Sequence, residues 1–149
     1  MKSKCPDTHI RLIAHSLGAA VINSTLINLD NTHQIWKSNI NNNNSKIIKS
    51  VHVLGAAINN ELIVKNSTLG NASERVIDRF YNLYDPQDDG LEFNKQFENH
   101  DPLGLVGAPS VDTFVNYNET NVAYEIPPFS DAVVVFGGKQ ERYDIPIKG

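Results

Sequence analysis

The sequence predicts an α/β fold, a mostly parallel sheet with flanking helices. Three observations carry that expectation. Short, mostly apolar runs recur at residues 9–14, 50–57 and 132–136, each of strand length. They lack the strict apolar–polar alternation of a sheet with one wet face, as strands of a parallel sheet do. Helix-length stretches separate them, which suits parallel crossovers. No internal repeat points to a solenoid or propeller.

The elements follow in chain order. Pro6 and Asp7 punctuate the start of a β-prone segment over residues 9–14. The turn His15-Ser16-Leu17-Gly18 ends it. A helical segment follows, with Ala19, Ala20, Val21, Ile22, Leu26, Ile27 and Leu29 apolar on most sides, so a buried helix is expected. Residues 31–45 are polar and asparagine-rich, a helix end plus loop. Residues 50–57 (Ser-Val-His-Val-Leu-Gly-Ala-Ala) read as a strand buried on both faces. Residues 66–73 read as a loop. In residues 75–84 the aromatic and β-branched content (Val76, Ile77, Phe80, Tyr81, Tyr84) predicts a third strand in the C-terminal half. Asp85-Pro86-Gln87-Asp88-Asp89-Gly90 stops it as a turn. Residues 91–130 read as irregular, broken by Pro102, Pro109, Pro127 and Pro128. A strand over 132–136 (Ala-Val-Val-Val-Phe) ends at Gly137-Gly138, and a polar tail runs to Gly149.

Length and composition bound the possibilities. A chain of 149 residues suits one domain around one core. The net charge of −4 and pI near 5.7 argue against a nucleic-acid binder. Hydrophobic residues at 40% and charged ones at 20% describe a globular chain. The single cysteine, Cys5, leaves no internal disulfide and no paired-cysteine zinc site. No apolar run approaches the ~20 residues of a membrane helix. Lys2 and Lys4 precede no apolar stretch of signal-peptide length, so a cytoplasmic location is the default expectation.

The sharpest chemical signal is Ala14-His15-Ser16-Leu17-Gly18, a small-x-Ser-x-Gly nucleophile elbow. Such a strand-to-helix turn holds its central serine in a strained backbone conformation. Small residues two before and two after let strand and helix close around it. The serine oxygen then stands above the carboxyl edge of the sheet. The next backbone N–H, that of Leu17, lies at a helix N-terminus and suits an oxyanion.

With these residues in place, the run Pro6 to Val21 resembles the serine region of α/β-hydrolases of the lipase and esterase type. Residues 50–57 are similar to the strand after the nucleophile helix in that superfamily. Phe80 to Leu91 resembles the following strand and its acid-bearing turn. The resemblance covers Pro6 to Leu91 and implies a partial α/β-hydrolase fold. It implies that Ser16 is the nucleophile and that the Leu17 N–H holds the oxyanion. Asp88 matches the acid that orients and stabilises a protonated histidine. The alternative for this turn is that Asp85 caps it while Asp88 and Asp89 are solvated.

The family order is serine, acid, histidine. Of His9, His15, His33, His52 and His100, only His100 follows Asp88, and it precedes the last strand candidate. The resemblance implies a histidine after that strand. His15 reads as packing or lining the pocket, and His52 as a satisfied core histidine. One strand precedes Ser16, where the family has several. A C-terminal fragment of a longer protein is the simplest account, with a small inactive relative and completion by a partner chain as alternatives.

Other chemistries are disfavoured. Pro86 and Gln87 interrupt the oxygen-ligand pattern of a calcium loop. No paired-histidine spacing supports zinc. Gly104-x-x-Gly107 and Gly137-Gly138 lack the dinucleotide and P-loop patterns. No cofactor and no metal is expected. The expected function is carboxylester hydrolysis through an acyl-enzyme on Ser16, on a small-molecule ester or acyl substrate, impaired here by the missing histidine. The competing expectation is a non-catalytic interaction module on the same fold.

Overall fold

Four parallel strands stand side by side in chain order: β1 (Ile10–His15), β2 (Ile48–Leu54), β3 (Ile77–Tyr84) and β4 (Tyr117–Asn121). They belong to a computed structural model that describes residues 9–37 and 46–124, the side chains of 33–37 excepted. Helix α1 (Gly18–Lys37) links β1 to the segment before β2. A 3-10 turn (Asn60–Ile63) and α2 (Thr68–Val76) lead from β2 to β3. Helices α3 (Asp89–Glu98) and α4 (Leu103–Val106) lead from β3 to β4. The fold is α/β. Parallel neighbours need crossovers of this kind to bring the chain back to the starting edge.

One face of the sheet carries the core. Leu12 and Ala14 pair with Val51 and Val53, which pair with Phe80 and Asn82. These residues alternate onto one face. Ile22 and Leu26 of α1 and Leu69 and Val76 of α2 close over it, with Leu26 and Val76 fully buried. Phe80, Phe114 and Tyr117 extend this core, with Phe114 edge-on to both other rings at 5.5–5.6 Å. Arg75 of α2 grips the buried Asp30 of α1 through two hydrogen bonds. That carboxylate raises the Arg75 pKa above its ordinary value.

The alternate residues Arg11, Ile13 and His15 of β1 point to the other face, with His52 and Leu54 of β2 and Tyr81 and Leu83 of β3. Ile13 is 75% exposed there. Among the described residues no helix covers this face, although parallel sheets are usually covered on both. His52 is hydrogen-bonded as expected but half-buried on this face rather than in the core: its Nε2 lies 3.0 Å from Ser50 Oγ and its ring stacks on Tyr81 at 4.8 Å.

Several elements differ from their sequence reading. Helix α1 buries one stripe (Ala19, Ile22, Leu26, Asp30), while Val21 is 67% exposed, because the sheet and α2 meet it on one side. Strand β2 is buried at Val51 and Val53 on the core face, while His52 and Leu54 on the other face are half-buried. Residues 66–73, expected as loop, hold the start of α2. Ser67 caps it by accepting from the Gly70 N–H at 2.9 Å. Its small residues serve packing: a Cβ at Gly70 would stand 2.6 Å from the Val64 carbonyl oxygen. The span expected to be irregular holds α3, α4 and β4. The polar β4 is largely exposed and is held by pairing with β3 rather than by apolar burial. The strand candidate over 132–136, the asparagine run 41–44 and Cys5 lie outside the described residues. No helix among the described residues is long and apolar enough to cross a membrane.

Candidate active site

Ser16 occupies the turn between β1 and α1 with a φ of 51°. A non-glycine residue in this left-handed region costs on the order of 1–3 kcal/mol and persists only where its surroundings impose it. Here three backbone bonds impose it. The Ser16 N–H donates to the Leu54 carbonyl at 3.0 Å. The Ser16 carbonyl accepts from Ala19 at 3.1 Å and from Ala57 at 3.2 Å. The turn is thereby locked to the end of β2 and to the first turn of α1. The flanking small residues have a visible purpose, since a Cβ at Gly18 would stand 3.2 Å from the Ala14 Cβ.

The backbone after Ser16 opens the helix. Ala19 and Ala20 donate to Ser16 and Leu17, so the Leu17 N–H lies ahead of the helical ladder. It sits at the positive end of a 20-residue helix. This is the electrostatic setting an oxyanion requires.

Asp88 lies in the turn after β3, one strand beyond β2 from the elbow. Its Oδ1 caps α3, accepting from the Leu91 N–H at 2.9 Å. Its Oδ2 turns toward Gly55 at the end of β2. A Cβ built on Gly55 would stand 3.3 Å from Asp88 Oδ2 and 3.8 Å from His15 Nε2. The missing side chain of Gly55, whose φ is 50°, leaves the gap that the carboxylate and the imidazole both face. Asp85 takes the turn-capping role: its Oδ1 accepts from the Gln87 N–H at 2.8 Å. Asp89 is exposed in the first turn of α3.

These groups meet in a cavity of about 440 Å³ along the carboxyl ends of the strands. His15, Asp85 and Asp88 supply its polar lining, and Ile13, Leu54, Leu83 and Val122 supply apolar walls. Ser16 follows His15 directly, but its own atoms are not part of the lining. His15 therefore does line the pocket. His100 does not reach it. It follows the C-terminal end of α3, and a ten-residue helix places it roughly 15 Å from Asp88. Its Nε2 lies 3.9 Å from Glu98 Oε2, and its Nδ1 has no hydrogen-bond partner among the described residues.

Two glycines shape the site without a motif to announce them. Gly55 keeps the Asp88–His15 gap open. Gly104 brings α4 against the chain after β2: a Cβ there would stand 2.0 Å from the Ala56 nitrogen. The signal available in sequence was the small-residue run Gly55-Ala56-Ala57 at a strand end. Among the described residues no group of three histidine, cysteine, aspartate or glutamate side chains is placed to hold a metal ion. Compared with known families, with curated proteins and with solved structures, the chain matches none.

Proposed function

We propose that this chain carries the nucleophile serine of a hydrolase of the α/β-hydrolase type, acting on carboxylesters. The observation that carries the reading is Ser16 itself, held at φ 51° between a parallel strand and a helix N-terminus. Strained non-glycine residues concentrate at functional sites, and this strain is what a nucleophile elbow needs. In the proposed reaction the Ser16 Oγ attacks the ester carbonyl as a histidine takes its proton. The Leu17 N–H stabilises the oxyanion. The histidine returns the proton to the departing alcohol, leaving an acyl-Ser16. Water then attacks the acyl-enzyme by the reverse proton path, releasing the acid and restoring Ser16. Asp88 orients the histidine.

The base is the weak point of the chain. No histidine follows residue 100 in the sequence, and His100 stands at the far end of α3. Without a base, serine is a poor nucleophile, so turnover is expected to be lower by several orders of magnitude than in a complete triad. The position of His100 also favours the second reading, a non-catalytic module that keeps the fold.

Hydrolysis of p-nitrophenyl butyrate, with and without added imidazole, separates the two. The hydrolase reading expects slow release by the native chain, stimulation by imidazole, and loss of both in Ser16→Ala. If Ser16→Ala and the native chain behave alike with imidazole present, the hydrolase reading fails and the interaction module stands.

A further inference from the structure

We infer that Asp85 is a specificity-determining residue that closes the cavity to acyl groups carrying a negative charge. The inference rests on the hydrolase reading for its meaning, but it can be measured without turnover. The cavity has apolar lining from Leu54 and Leu83 at the ends of β2 and β3 and Val122 just after β4. Two carboxylates, Asp85 and Asp88, line it as well. Among the described residues no lysine or arginine lines it. The two acids have different tasks. Asp88 faces His15 across Gly55, in the position of the proposed triad acid. Asp85 is not needed for that geometry.

Asp85 is nonetheless held firmly. Its N–H donates to the Gly104 carbonyl at 2.8 Å, and its carbonyl accepts from the Asp88 N–H at 3.2 Å. Its Oδ1 accepts from the Gln87 N–H at 2.8 Å. A turn cap needs only one acceptor oxygen, and asparagine fills that role as well as aspartate. The charge of Asp85 is therefore surplus to its structural task, and among the described residues it faces a cavity that no lysine or arginine lines. An acyl chain entering this space gains from apolar contact with Leu54, Leu83 and Val122. The same chain ending in a carboxylate meets two like charges at short range, where the local dielectric is below that of water. The ligand class is thus an uncharged ester with an apolar acyl chain. The charge pattern also favours departure of the acid product.

The test uses the 149-residue chain and two probes of equal chain length, methyl hexanoate and monomethyl adipate. Binding is read from amide and methyl shift changes at Leu54, Leu83 and Val122. The native chain is expected to bind methyl hexanoate at least tenfold more tightly. Asp85→Asn, which keeps the turn cap, should strengthen adipate binding by about threefold to tenfold and leave methyl hexanoate unchanged. Added salt should narrow the preference in the native chain. The measurement reads binding and needs no turnover, so an absence of ester hydrolysis would sink the hydrolase reading and leave this comparison intact. The inference is overturned if neither ester perturbs the cavity residues, or if Asp85→Asn leaves the ratio of the two affinities unchanged.

Discussion

A single residue, Ser16, combines a strained backbone with the proposed nucleophile. Its φ of 51° suits glycine better than any side chain. Ser16→Gly should therefore raise the unfolding free energy by up to about 1 kcal/mol, as relief of the left-handed strain outweighs the added chain entropy. Urea denaturation measures it. A drop in stability on this substitution would mean that the Ser16 side chain, and not the backbone of the turn, holds the elbow. The serine was legible because its neighbours are constrained too: a Cβ at Gly18 would stand 3.2 Å from the Ala14 Cβ, tighter than ordinary contact, which favours small residues at both positions. Gly55 was not legible in its role, since the partners it makes room for, Asp88 and His15, lie 33 and 40 residues away in the chain.

At the scale of elements, the site is built from the ends of three strands and the docking of α4. Gly104 lies with its Cα hydrogens against the backbone of Gly55 and Ala56, where a Cβ would approach to 2.0–2.5 Å. Backbone cannot yield as a side-chain tip does, so Gly104→Ala should destabilise the fold by about 3 kcal/mol. Because the Gly104 carbonyl also receives the Asp85 N–H, the shift should register in the amide resonances of Asp85 and Asp88. Retention of native stability and of those resonances would show that α4 is free to move off the strand ends. Elements with an apolar signature (β1, β2, β3) were readable in order. Helix α3 and strand β4 were not. The cap of α3, Asp88, doubles as a candidate catalytic acid, and β4 is polar because its stability comes from pairing with β3.

Across the whole molecule, the phenol of Tyr117 couples stability to pH. Burial, with the neighbouring Glu119 carboxylate that accepts its O–H at 2.8 Å, raises the Tyr117 pKa far above its ordinary value near 10. The folded chain therefore keeps this proton while the unfolded chain releases it. Stability from this group is fully present below pH ~10 and falls as the pH rises above it. Alkaline denaturation followed between pH 8 and 11 should show that decline, and Tyr117→Phe should flatten it. A Tyr117→Phe profile parallel to that of the native chain would mean that other groups control the alkaline limb. Glu119 also accepts from the Ala108 N–H, so this exposed strand helps anchor the exit of α4.

The sequence by itself determined the fold class, the order of the three apolar strands and the tight strand-to-helix turn at Ser16, because these depend on local periodicity and on residues adjacent in the chain. Only the tertiary structure decided which acid faces His15 across Gly55, that His100 stands at the end of α3 away from the cavity, and that one face of the sheet lies open among the described residues. Those outcomes depend on strand register and on helix lengths between distant residues, and no local pattern encodes either.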